Sequence, residues 1–330
     1  MTSVKDNKTP SNFRPFPAPV RSPGSALRGS DVLTLTDFSP AEVAAILDEA
    51  ARIKAAPPGS HRPLSGKTII LLFEKPSLRT RITFEVGIAR LGGHGIYFDH
   101  GTQRLGERES VFDYAKNLER WVDGIVARVF SQQILNEMAT ATRVPVINAL
   151  SDLYHPCQAL ADYLTLRDRF GDLRAVRTAY VGDGNNVCNS LMHAAALLGS
   201  HLVVVTPDGY GPNEAEVAAS RSIAASTGGS VTVSTDPASI NGSNAVYTDV
   251  WVSMGQADLQ GKRMKDFKNY QIDNSMMAKA GQDAVFMHCL PAHRGVEVTD
   301  DIMDSKNSIV YDQAENRLHA QNGLLSLLFA

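Results

Sequence analysis

Residues 73–81 read FEKPSLRTR: an apolar run empties into a short loop carrying a serine, a threonine and two arginines within five residues. With a strand ending near Phe73 and a helix beginning near Ser77, the helix's first N–H groups and its dipole both favour an anion at the turn. Ser77 and Thr80 add hydroxyl donors, and the planar fork of Arg79 suits phosphate oxygens. A capped helix with solvated arginines would use the same residue types, so the segment alone leaves both readings open. It contains no G-x-x-x-x-G-K and is not a Walker loop.

Other polar clusters follow apolar runs in the same way. His155 and Gln158, in HPCQ, stand three apart at an expected helix start, so one turn brings both side chains toward one ligand. There an imidazole or carboxamide can donate to a carbonyl oxygen, although such a histidine also serves as a cap or core partner. In VGDGNN the pattern Gly182-x-Gly184-x-x-Val187 lacks the third glycine of a dinucleotide fingerprint, and no suitable acid stands about twenty residues on. NAD binding, and with it an oxidoreductase, is disfavoured. Asn185 and Asn186 suit the carboxylate or amine of an amino acid, or simply cap the next helix. TDVWVSMG places Asp249, Ser253 and Met254 past another strand, an acid, a hydroxyl and a turn that fit a zwitterion. HCLPAHR adds His288, Cys289, Leu290 and Arg294. Zinc held by His288, Cys289 and His293 is disfavoured, because adjacent strand residues point to opposite faces. Arg128, in GIVARVF, and Arg317, in AENR at the expected start of the last helix, are each an ordinary surface arginine when taken singly.

These clusters need a scaffold that gathers strand ends. In TDFSPAEVAAILDEAARIKAA, Ser39, Pro40 and Glu42 form the start of a capped helix. From there strand and helix patterns alternate, with strands at KTIILLF, GIYF, GIVARVF, VPVINAL, RTAYVGDG, HLVVVTP, SVTVST, NAVYTDV, DAVFMHCL and NSIVYDQ, several of them short, nearly continuous apolar runs. Such runs mark strands buried on both faces, and the alternation implies right-handed crossovers and parallel sheets. The fold class is therefore α/β, with two doubly wound parallel-sheet domains and a closing C-terminal helix that returns to the first. The expected divisions are a disordered tail over 1–30, a first domain over 31–154 joined by helix 314–330, and a second domain over 155–313. In this architecture ligands lie beyond the carboxyl ends of the strands, where every cluster above falls.

Composition narrows the class. At 330 residues the chain can bury two cores, and a net charge of −3 argues against nucleic acid or a membrane surface as the main partner. No apolar run approaches the eighteen or so residues of a membrane span. Three cysteines suit free thiols in a reducing, cytoplasmic compartment. The Pro-, Ser- and Arg-rich first thirty residues have a mitochondrial transit peptide as their competing reading, but their prolines break an amphipathic helix.

Taken in order, these segments resemble the transcarbamylase superfamily and, within it, the ornithine carbamoyltransferase family, over nearly all of residues 31–330. Ser77-Leu78-Arg79-Thr80-Arg81 matches the family's S-T-R-T-R carbamoyl-phosphate motif, with Leu78 replacing a threonine. HPCQ, DVWVSMG, HCLP and AENR match its other signatures. The resemblance implies transfer of a carbamoyl group from carbamoyl phosphate to the δ-amino group of L-ornithine, giving L-citrulline and phosphate, in arginine biosynthesis or run in reverse. It implies that Ser77, Leu78, Arg79 and Thr80 hold the phosphate, and that Arg128, His155, Gln158 and Arg317 complete that site, with His155 polarising the carbonyl. Gln103 would reach carbamoyl phosphate on a neighbouring subunit. Asn186, Asp249, Ser253 and Met254 would hold ornithine, with Cys289 and Leu290 lining the junction. No metal or organic cofactor is implied, and the assembly would be a trimer or a multiple of trimers. Relatives acting on N-acetylornithine, putrescine or aspartate are the nearest alternatives, and a catalytically idle scaffold is a more distant one. The intact DVWVSMG favours the free amino acid.

Overall fold

The computed structural model describes residues 27–101, 104–251 and 260–330. Helix α1 (Pro40–Ala55) begins at the expected cap: the Ser39 hydroxyl accepts from the Glu42 N–H, and Glu42 returns the bond to the Ser39 N–H. Then come β1 (Thr68–Phe73), α2 (Leu78–Arg90), β2 (His94–Asp99), α3 (Val111–Leu118), β3 (Gly124–Arg128), α4 (Gln132–Ala141) and β4 (Val146–Leu150). After α5 (Pro156–Phe170) the alternation resumes with β5 (Arg177–Val181), α6 (Asn186–Leu198), β6 (His201–Val205), α7 (Glu214–Thr227), β7 (Ser230–Ser234) and β8 (Ala245–Thr248). The chain closes with α8 (Gln260–Asp266), α9 (Asn274–Ala280), β9 (Val285–His288), α10 (Asp300–Met303) and α11 (Val310–Phe329).

Two wholly parallel sheets result, ordered β2-β1-β3-β4 and β7-β6-β5-β8-β9. Each reverses direction once, between β1 and β3 and between β5 and β8. A crevice opens at the carboxyl ends of such neighbours because their connections leave toward opposite faces. The four strand ends at the two reversals are therefore the places where a ligand fits.

One helical layer joins the sheets. Residues 156–166 of α5 are all buried, as are residues 187–197 of α6, so both helices are enclosed around most of their circumference. Helix α11 packs on α1, α2 and α5. At Gly323 a Cβ would lie 2.6 Å from Ala50 N and 2.7 Å from Ile46 O, so only glycine lets α11 approach the α1 backbone. Gly323→Ala must push two helices apart, a destabilisation of about 1–3 kcal/mol, and a thermal melt should show a Tm lower by a few degrees.

Three expectations about elements are corrected. NSIVYDQ is not a strand: Ser308 makes a single parallel bridge to Phe286, and α11 starts at Val310. A short apolar run is consistent with either period, and here burial against the helical layer wins. Consequently Arg317 does not begin the last helix but lies inside it. The last residues of the expected tail are packed, with Leu27 buried and the Gly29 N–H donating to Leu328 O at 2.9 Å. Strand β2 lies at the edge of its sheet and exposes Ile96 and Phe98.

Candidate active site

A cavity of about 450 Å³ lies between the two sheets' carboxyl ends, lined by residues from both. From the first sheet, the β1–α2 turn supplies Lys75, Ser77, Leu78, Arg79 and Thr80, and the end of β3 supplies Arg128. Ser77 caps α2, its hydroxyl accepting from the Thr80 N–H at 3.4 Å. This leaves the first N–H groups of the helix without partners inside it. The two arginines of the opening motif separate. Arg79 faces the cavity, whereas Arg81 pairs with Glu85 at 3.1 Å and stacks 3.6 Å above the Tyr97 ring. The Leu78 side chain is 74% exposed, so only its backbone can serve a bound anion.

From the helical layer come His155, Gln158 and Arg317. Arg317 donates to Gln158 Oε1 at 3.0 Å and to Thr80 Oγ1 at 2.7 Å, bridging α11, α5 and α2. His155 precedes α5, its N–H held by Ser190 Oγ of α6 at 2.7 Å. Among the described residues no carboxylate pairs with Arg79, Arg128 or Arg317. Burial, with Arg317 and Arg79 nearby, lowers Arg128 to about 10, and the buried Arg128 Nε and Arg317 Nε have no partner among the described residues. Burial, followed by Arg317 and Arg128, holds His155 well below the usual imidazole range, so its ring is neutral near pH 7. Three guanidiniums with no carboxylate partner among the described residues surround one cavity with a neutral imidazole, an arrangement that suits an anion.

From the second sheet come Asn186, Asp249, Cys289 and Leu290. Asn185 is a helix cap, accepting from the Val187 and Cys188 N–H groups, and its Nδ2 donates to Asp249 Oδ2 at 2.8 Å. Asn186 Nδ2 donates to Ser151 O at 2.6 Å. Gly184 has a packing reason, since a Cβ there would collide with Pro212. Cys289 Sγ donates to Asp249 Oδ1 at 2.9 Å. Burial and then Asp249 push the Cys289 thiol well above its ordinary range. It is a thiol, not a thiolate, at neutral pH. Its alkylation by iodoacetamide should therefore keep accelerating above pH 9, whereas an ordinary thiol levels off past about 8.5.

Leu290 sits in the left-handed region at φ 59, a conformation costing a branched residue about 1–3 kcal/mol. His288 Nδ1 accepts the Leu290 N–H at 2.8 Å, and His288 Nε2 faces Glu297 at 3.3 Å. Because β9 ends at His288, strand alternation no longer separates it from Cys289. The ligand-capable atoms of Asp249, His288 and Cys289 fall within 4.8 Å of one another, correcting the expectation of opposite faces. These atoms already bond within the protein, and His293 lies 3.8 Å from Glu297 instead.

Gln103, Ser253 and Met254 lie outside the described residues. Arg294 is engaged elsewhere, paired with Asp300 and Asp304. Two contributors went unnoticed in the sequence. Lys75 lines the cavity, its amine 4.3 Å from the Phe130 ring and lowered by burial and Arg128. Buried Glu74 accepts the Leu105 and Phe130 N–H groups, each at 2.8 Å, and so fixes the loop after Arg128. Its only signal was an acid directly after an apolar strand.

Comparison with known proteins finds two matching domain families along the chain. Residues 30–168 match the carbamoyl-P binding domain of aspartate/ornithine carbamoyltransferase, and residues 174–328 match its Asp/Orn binding domain. An ornithine carbamoyltransferase of Shewanella oneidensis is 49% identical over 90% of this chain and 99% of its own length. One from Pyrococcus horikoshii is 47% identical over 92% of this chain and 96% of its own. Among solved structures, ornithine carbamoyltransferase from Pyrococcus furiosus superposes with a TM-score of 0.89 at 46% identity, covering 92% of this chain and 98% of that one. Domain matches that together span most of the chain, and relatives of this identity and coverage, place it in the aspartate/ornithine carbamoyltransferase family.

Proposed function

We propose that this chain is an ornithine carbamoyltransferase, moving the carbamoyl group of carbamoyl phosphate onto the δ-amino group of L-ornithine to give L-citrulline and phosphate. The observation that carries the reading is one cavity with Arg79, Arg128 and Arg317, none paired with a carboxylate among the described residues, on one wall and Asp249 with Cys289 on the other. The arginines, with Ser77, Thr80 and the backbone of Leu78, take the phosphate. His155, Arg128 and Thr80 donate to the carbonyl oxygen as charge grows on it, each such donor contributing about 3 kcal/mol. Gln158 and Arg317 fix the geometry of that corner. Asn186, Asp249, Ser253 and Met254 hold ornithine, with Cys289 and Leu290 at the junction. A carboxylate beside the reacting amine would hold its proton, so Asp249 belongs with the α-ammonium and the departing phosphate takes the proton.

Gln103 serves a neighbouring subunit in a homotrimer or a multiple of it. Exposed Leu78 and Ile82 on α2, with Ile96 and Phe98 on edge strand β2, offer the apolar surface for that contact. On this reading the enzyme belongs to the cytoplasm, in arginine biosynthesis or, run in reverse, in arginine breakdown. Citrulline formation from carbamoyl phosphate, with L-ornithine, N-acetylornithine, putrescine and aspartate compared side by side, is the test. A preference for any amine other than ornithine would refute the substrate assignment.

A further inference from the structure

Behind the cavity, α5 carries an acid that does not line it. Asp162 is completely buried, one turn beyond Gln158. Its Oδ1 accepts two carboxamide N–H groups, from Gln158 Nε2 at 2.8 Å and from Gln313 Nε2 of α11 at 2.7 Å. Each glutamine is thereby turned so that its oxygen faces the other way. Gln158 Oε1 takes the Arg317 guanidinium, which also grips Thr80. Gln313 Oε1 takes the His288 N–H at 2.9 Å, at the end of β9 just before Cys289 and Leu290. A continuous buried chain thus runs from Thr80 through Arg317, Gln158, Asp162 and Gln313 to His288.

We propose that Asp162 is a positioning residue that locks the anion pocket and the amine pocket into one frame, by clamping the carboxamides that support each. The inference rests on the two-substrate reading above. A carboxamide whose N–H has no fixed acceptor can flip, and a flipped Gln158 would aim an N–H at Arg317 instead of an oxygen. A flipped Gln313 would do the same to His288, loosening the turn that holds Leu290. Arg317 of α11, Tyr163 of α5, Tyr247 of β8 and Cys289 face the same carboxyl. Burial raises Asp162 to about 7, against the pull of Gln158, Gln313 and Arg317. An asparagine keeps the accepting oxygen and so reproduces the clamp in either charge state of the acid.

The test uses the full chain, with inorganic phosphate as calorimetric probe of the anion pocket and steady-state kinetics for both substrates. Asp162→Asn is expected to stay within about threefold of wild type in phosphate affinity, both KM values and kcat. Asp162→Leu, with no acceptor, is expected to weaken phosphate binding and raise the carbamoyl phosphate KM about tenfold, with kcat down by about the same factor. If that variant does not fold, Gln313→Leu decides, because it cuts only the arm to β9. It should raise the ornithine KM about fivefold while phosphate affinity and carbamoyl phosphate KM hold. Wild-type kinetics in folded Asp162→Leu, equal damage from Asn and Leu, or equal loss on both substrates in Gln313→Leu would each overturn the proposal. Phosphate binding is read without turnover, so a wild type that makes no citrulline would count against the functional reading alone.

Discussion

Replacement of Arg317 by glutamine should lower kcat/KM for carbamoyl phosphate by about a thousandfold, most of it in kcat. Arg317 is buried in the middle of α11, yet it bonds Gln158 and Thr80 and has no carboxylate partner among the described residues. An uncompensated buried guanidinium is costly unless an anion arrives to pair with it. Loss of one preorganised donor costs about a hundred- to a thousandfold, and here the variant also leaves the Gln158 carboxamide oxygen and Thr80 hydroxyl without their donor. Arg317→Lys sharpens the test. Lysine keeps the charge but cannot reach two partners with one planar fork, so a loss of about a hundredfold should remain. Steady-state kinetics alongside a thermal melt separates this from unfolding. Activity within tenfold of wild type in the glutamine variant would mean that Arg317 does not face the transferred group.

Asp249→Asn should raise the KM for ornithine roughly a hundredfold and leave that for carbamoyl phosphate nearly unchanged. The carboxylate is buried at the end of β8, steadied by Asn185 and by the Cys289 thiol, both neutral donors. No cationic side chain among the described residues pairs with it, which leaves the carboxylate to a ligand cation. Truncating one partner of a desolvated charge pair costs about 2–5 kcal/mol, and a hundredfold is about 2.7 kcal/mol on that scale. Asparagine keeps the shape and removes only the charge, so the loss should fall on the amine substrate. An unchanged ornithine KM would show that Asp249 does not bind the α-ammonium.

The chemistry-bearing residues were legible from the chain because each announces itself locally. Ser77, Arg79, His155, Gln158, Asp249 and Cys289 all follow an apolar strand, and period plus turn chemistry are enough to place a strand end. The parallel α/β alternation followed from the same short-range signals. What could not be read locally was which side chains turn inward and what holds them. Arg79 and Arg81 are two residues apart in one motif, but only the packing of Tyr97 and Glu85 draws Arg81 away. NSIVYDQ carries β-branched residues, and only the space beside α5 made it the start of a helix, setting Arg317 in the interior of α11 rather than at its N-terminus.

The residues behind the site, Glu74, Asp162 and Gln313, looked like ordinary polar positions in the sequence. Their roles come from partners 31, 56 and 151 residues away. By itself, then, the sequence determined the α/β class, the strand ends and the residue types available for an anion and a zwitterion, because these depend on neighbours a few positions apart. Tertiary structure alone decided which arginines converge, which carboxylate stays free and which amides are clamped. Those outcomes depend on contacts between segments whose separation along the chain no periodicity encodes.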